Sequence, residues 1–135
     1  MRTLCFTVPG RPRAKARARV VRGHAFTPEK TRADEAVVWA AFREAAGPEW
    51  KPHAGPVRMT VAAFRVLPAS WSRRKREAAL ASGYWTSRPD ADNVLKLVKD
   101  ALNGTAYVDD AQVADVRVVK RWGDEDATVV SMEFL

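Results

Sequence analysis

Two periods run through this chain, one of two residues and one of about 3.6. Leu4, Phe6 and Val8 alternate with Cys5 and Thr7, so Thr3–Val8 predicts a short strand with one buried face, stopped by Pro9-Gly10. Val57–Leu67 is apolar on both faces, with Val57, Met59, Val61 and Ala63 on one and Phe64 and Val66 on the other. That pattern predicts a strand interior to its sheet, or one bulged midway. Val113–Trp122 alternates again, placing Ala114, Val116 and Val118 opposite Asp115, Arg117 and Arg121. After a turn at Gly123-Asp124, Thr128, Val130, Met132 and Phe134 form the inner face of a last strand. The short connection predicts that these last two strands pair as an antiparallel hairpin.

Helical spacing takes over between the strands. Thr27-Pro28 predicts a helix start, a hydroxyl cap followed by proline at the first helical position, with Glu29 in the first turn. Val38, Ala41, Phe42 and Ala45 form its apolar stripe, and Gly47-Pro48 ends it. No chemistry is assigned to it. A second helix is capped by Ser70 or Ser72 and ends before Gly83. A third runs from about Asn93 to Leu102, with Asp92 as its natural N-cap, Asp90 just outside, and Asn103-Gly104 as its left-handed end. Val94, Leu95, Leu97, Val98, Ala101 and Leu102 take the side that packs on the sheet. Asp92, Lys96, Lys99 and Asn103 share the other, with Asp100 at its edge. The order strand, helix, strand, helix, helix, strand, strand predicts a single α+β domain over residues 1–135. Its sheet is mixed, mostly antiparallel and four-stranded, packed by helices.

Composition adds a partner to this picture. The 135 residues are 47% hydrophobic and 29% charged, which is globular, and the net charge of +7 points to a polyanion. A basic stretch follows the first strand, with Arg11, Arg13, Lys15, Arg17, Arg19 and Arg22. It reads as a loop that grips phosphates or as a solvated arm, and its alternation leaves room for a short hairpin before Gly23. Arg73, Arg74, Lys75 and Arg76 crowd the first turns of the second helix, where the dipole disfavours cations by a few tenths of a kcal/mol each. Contact with an anion would offset that cost; an exposed charged face is the plain alternative. Trp71, Tyr84 and Trp85 flank this helix and serve either as core and interface or as platforms for splayed bases. The lone Cys5 excludes an internal disulfide and is expected as a packed thiol. With no signal-like start and no run of about 20 apolar residues, the expected setting is cytoplasmic, with no membrane partner.

The stretch Arg88–Asp110 carries the candidate chemistry. Asp90 and Asp92, two apart on chain leading into the third helix, point the same way. The chain returns after that helix to Asp109-Asp110, so Asp110 is expected beside the first pair. Three carboxylates this close repel unless a cation sits among them, and an oxygen-only set suits Mg²⁺ or Mn²⁺. Such a site holds metal against a scissile phosphate, and Lys96 would meet the charge that develops there. The same residues also read as a helix cap (Asp92), exposed i, i+4 pairs (Lys96 and Lys99 with Asp92 and Asp100) and turn residues (Asp109, Asp110).

Arg88-Pro-Asp-Ala-Asp-Asn-Val-Leu-Lys, Asp100-Ala-Leu-Asn-Gly and Val108-Asp-Asp-Ala-Gln-Val resemble the motifs of the RusA family of Holliday-junction resolvases. Pro68–Arg76 is similar to a helix start of its phage-type members, and the Gly10–Arg19 loop to one branch of the family. The resemblance implies a RusA-like fold and a homodimer that needs Mg²⁺ and nicks a four-way DNA junction symmetrically, in recombination and repair. It implies that Asp90, Asp92 and Asp110 bind the metal and that Lys96 is catalytic, with Asn93 inside the motif and Asp109 beside a ligand. Arg13, Lys15, Arg17, Arg19, Arg73, Arg74, Lys75, Asn93, Lys96, Lys99 and Lys120 are the expected DNA contacts. A branched-DNA or RNA binder without turnover, a nuclease for flaps or forks, and a small-molecule phosphodiesterase are the rival readings.

Overall fold

The computed structural model describes residues 1–16, 19–26 and 28–135, without the side chains of residues 19–21, 25 and 26. Arg17, the Arg19 side chain and the Thr27 cap therefore lie outside the described residues. Strand β1 (Arg2–Pro9) is followed by β2 (Arg19–Val21), β3 (His24–Phe26) and helix α1 (Glu29–Ala46). Strand β4 (Val57–Arg65), helices α2 (Arg73–Ser82) and α3 (Ala91–Leu102), and strands β5 (Val113–Trp122) and β6 (Ala127–Phe134) complete the chain. The small β2–β3 hairpin turns at Arg22 (φ 51°) and Gly23 (φ 80°). Positive φ at both central residues is what a two-residue turn of matching twist requires.

The main sheet has the order β1-β6-β4-β5. β6 is antiparallel to both β1 and β4, whereas β4 and β5 are parallel, so the sheet is mixed and mostly antiparallel. The expected hairpin of the last two strands does not form, because β4 lies between them. β4 buries Val57, Met59, Val61 and Ala63 completely, and that inner face takes the central place. β5 is an edge strand instead, with Ala114 and Val116 exposed and Val113 its buried residue. The connection from β5 to β6 wraps the end of β4: Gly123 N donates to Arg65 O (2.9 Å) and Val66 N to Asp126 Oδ1 (2.9 Å).

Helices α1 and α3 cover one face of the sheet. Val38 and Phe42 of α1 and Val94, Leu97, Val98 and Leu102 of α3 are buried with Phe6, Val8, Met132 and Phe134. Each such side chain contributes about 1.5–3 kcal/mol by leaving water. Among the described residues no helix buries a side chain against the opposite face. Cys5 lies on it, opposite Ser131, and is exposed rather than packed; strand alternation gives the inner positions to Phe6 and Val8. Helix α2 stands apart, burying none of its residues. It is capped as expected, Ser72 accepting from Lys75 N (3.2 Å) and Gly83 closing it at φ 81°. No helix is long and apolar enough to cross a membrane.

Candidate active site

Helix α3 is fastened at its entrance by the ends of the two parallel strands. Trp85 is buried and donates from Nε1 to Ala63 O (3.0 Å). Two residues on, Ser87 accepts at Oγ from Arg65 (2.8 Å) and at its carbonyl from Lys120 Nζ (2.8 Å). Both cations also stand over the Trp85 ring, at 5.4 and 4.3 Å from its centre. Lys120, expected on DNA, thus holds the chain that leads to the acids. Asp90, not Asp92, is the N-cap: its backbone is extended and its carbonyl accepts from Asn93 N and Val94 N (both 3.1 Å). The first helical bonds begin two residues earlier than expected, so Asp92 falls in the first turn, where the helix dipole favours a carboxylate. The Asp90 side chain makes no capping bond, which leaves its carboxylate available.

At the far end every polar letter of the second motif has a partner. Gly104 takes the left-handed conformation (φ 77°), while Asn103 is extended. Asn103 Oδ1 accepts from Asp110 N (3.1 Å), tying that residue to the end of α3. Asp109 caps a 3₁₀ turn at Asp110–Gln112, accepting from Ala111 N (3.2 Å). Gln112 returns the bond to Asp109 N (2.8 Å), then spends its amide on the carbonyls of His53 (2.7 Å) and Gly55 (2.8 Å). Tyr107 is buried, with its hydroxyl donating to Lys99 O (2.8 Å). Burial and the charges of Asp110 and Asp100 push its phenol far above the ordinary range.

Between these ends lies a cleft of about 260 Å³, lined by Asp92, Leu95, Lys96, Lys99, Asp100 and Asp110. The carboxyl of Asp110 sits above its usual range, first because burial desolvates it. A hydrogen bond with Asp109 and the charges of Asp100 and Asp109 add to this, against the pull of Lys99. Asp110 therefore keeps company with Asp100 and Asp109, at the C-terminal half of α3. The step from Asp92 to Asp100 covers roughly 12 Å of helix. Asp90 lines a neighbouring cleft of about 710 Å³ with Arg11, Arg65, Arg88 and Asn93. Among the described residues no three His, Cys, Asp or Glu side chains gather closely enough to hold one ion. The donor chemistry of the smaller cleft, carboxylates under mutual repulsion without His or Cys, nonetheless fits a hard cation such as Mg²⁺ or Mn²⁺.

The basic residues divide into paired and open. Arg13 meets Asp34 (3.2 Å), and Lys15 meets Glu35 (2.8 Å) and Asp100 (3.0 Å). The Lys15 backbone N–H also donates to Asn93 O (3.0 Å). Burial alone would lower the Lys15 pKa, but its two carboxylate partners hold it above the ordinary lysine value. Both residues, expected to grip phosphates, dock the N-terminal loop onto α1 and α3. Arg73 pairs with Glu77 (3.0 Å) and Lys75 lies over Trp71 (4.2 Å), whereas Arg74 and Lys96 are exposed, with no ion pair among the described residues. Asp100, Arg65 and Arg88 line the clefts although none of the three was among the expected metal, catalytic or DNA-contact residues. Asp100 had a signal in its place at the edge of the polar helix face; Arg65 had none, since only the fold brings the end of β4 to Ser87.

A family model described as "Endodeoxyribonuclease RusA" matches residues 9–133, nearly the whole chain. The chain is also 43% identical over 74 residues to YqaN of Bacillus subtilis (strain 168), a protein described as uncharacterized. That match spans 53% of this chain and 52% of its relative, about half of each.

Proposed function

We propose that this chain, which belongs to the RusA endodeoxyribonuclease family, hydrolyses phosphodiester bonds at the branch of four-way DNA junctions. It acts as a homodimer that makes two symmetric nicks and requires Mg²⁺, or Mn²⁺ in its place. The observation that carries this reading is one cleft, in a chain of net charge +7, that gathers Asp92, Asp100 and Asp110 around Lys96 and Lys99. On this reading Asp92 and Asp110 hold the metal from the smaller cleft, where Asp100 is a further donor, and Asp90 serves it from the neighbouring cleft once DNA and metal draw the acids together. When bound, the ion supplies positive charge to the phosphate and lowers the pKa of its water.

The chain's own residues do the rest. Lys96 lies one turn beyond Asp92, on the same face, and brings an ammonium with no ion pair among the described residues to a phosphate oxygen that gains charge in the transition state. Lys99 opposes the upward shift that burial, Asp109 and Asp100 impose on the Asp110 carboxyl. Arg11, Arg65 and Arg88 line the approach past Asp90 and receive the DNA backbone. Two-fold symmetry suits a branch with two equivalent strands.

The test is a labelled four-way junction incubated with Mg²⁺ or with EDTA. Paired nicks are expected with Mg²⁺ and none with EDTA, and Asp90→Asn keeps junction binding while losing cleavage. Binding without metal-dependent nicking would overturn the enzymatic reading. Faster cutting of flaps or forks than of four-way junctions would overturn the substrate.

A further inference from the structure

We infer that the cleft between α2 and the end of β5 binds an unpaired nucleotide of the DNA, stacking its base and pairing its phosphate. The inference rests on the nuclease reading for its setting, but not on cleavage for its test. The cleft measures about 850 Å³, and Arg11, Arg65, Trp71, Lys75, Tyr84 and Trp122 are among its walls. Its lining includes no Asp or Glu. A concave site of this size holds a nucleotide, and its charge selects an anion.

Trp71 and Trp122 meet edge to face at 5.4 Å, and Tyr84 is 48% exposed. The ammonium of Lys75 stands 4.2 Å over the Trp71 ring, and the guanidinium of Arg121 stands 5.0 Å over Tyr84. Each ring thus has a face covered by the end of a long, exposed side chain. A base entering between ring and cation keeps the ring stacked and leaves the cation free to reach the adjacent phosphate. Stacking on a π face is blind to sequence, and in a paired duplex the faces of the bases are already stacked on one another and are not offered to such a ring. The occupant is therefore single-stranded rather than duplex DNA.

Position supports the same occupant. Arg11, Arg65 and Arg88 line both this cleft and the one that holds Asp90. A strand leaving the acidic residues for the aromatic cleft passes these arginines without a break in positive charge. Both clefts lie at the carboxyl ends of the parallel strands β4 and β5, where open sheets of this kind receive their ligands.

The experiment measures equilibrium binding by the full chain in EDTA. One fluorescent ligand is a short oligothymidylate, the other a fully paired duplex of similar length. Trp71→Ala should weaken oligothymidylate binding about tenfold and leave duplex binding unchanged. Because Trp71 also packs on Trp122, Trp71→Phe is run beside it and should restore most of the affinity. Tyr84→Ala, at an exposed position, should show a smaller loss with the same selectivity. Equal losses on both ligands, no loss on either, or a loss that Trp71→Phe does not restore would each overturn the inference. A wild-type protein that cuts junctions while these variants bind oligothymidylate normally loses the nucleotide site and keeps the nuclease. One that shows the selective loss but never cuts does the reverse.

Discussion

Helices α2 and α3 follow one another in the chain, both carry lysines, and are anchored in opposite ways. α3 buries Val94, Leu97, Val98, Ala101 and Leu102, and each of its ends is tied by side chains from distant strands and loops. α2 buries nothing: Ser72 caps its own first turn, Arg76 donates to Pro68 O (3.0 Å), and Gly83 at its end accepts from Trp122 N (3.1 Å). The contrast separates two demands on a DNA-cutting protein. Groups that act on a phosphate must be held to a fraction of an ångström, which a helix pinned by core packing provides. Groups that grip a backbone tolerate displacement, because a phosphate contact is a charge contact in water.

The largest effect should come from separating these roles directly. Asp92→Asn on α3 is expected to lower junction cleavage about a thousandfold, on the scale of losing one preorganised charge, with DNA affinity kept. Arg74→Ala on α2 should leave the rate at saturating DNA within about twofold and reduce the salt slope of binding by about one unit. Single-turnover kinetics and salt titrations read the two. A large rate loss from Arg74→Ala would erase the distinction.

Stability gives the next test. Leu97→Ala empties a fully packed position and should cost about 2–5 kcal/mol. Leu80→Ala, at an α2 residue 61% exposed, should stay within about 0.5 kcal/mol. Denaturant unfolding followed by fluorescence compares them, and equal costs would mean that α2 is a core element.

The smallest effect sharpens the acidic end. Burial and neighbouring carboxylates raise the Asp110 pKa, so its charged form is disfavoured in the folded protein. At neutral pH without metal the residue therefore costs stability, and the cost fades as pH falls through the raised value. Asp110→Asn should stabilise the protein in EDTA by less than about 1 kcal/mol. Added Mg²⁺ should raise the melting temperature of the wild type and leave the variant unmoved. A variant that melts lower than the wild type in EDTA would contradict the repulsion.

Much of this was legible from periodicity. The inner face of β4, the inner face of β6 and the buried side of α3 follow directly from alternation and helical spacing. Strand order did not, because pairing is decided by which strand has most to bury, and Val57–Ala63 displaces the hairpin that a short connection favours. The exchange of Asp92 for Asp90 as the cap is a two-residue question that local propensity leaves open, since both are good caps. Charge was the least legible. Nothing local distinguishes Lys15, locked between Glu35 and Asp100, from Arg74, which has no ion pair among the described residues; the distinction is made by which elements the fold brings together. In the structure the motif letters Asn103, Asp109 and Gln112 hold Asp110 and its loop, a role that only the folded chain makes visible.

The order of strands also has a consequence in time. β6 comes after every other described element, yet among the described residues it is the strand that joins β1 to β4 in the sheet. While a ribosome is still synthesising residues 127–134, β1 has no strand to pair with, and the layer on which α1 and α3 rest is open on one side. Strands that meet only after a long separation close slowly. Until β6 has paired, a nascent chain therefore carries its acids and arginines without the platform that orients them.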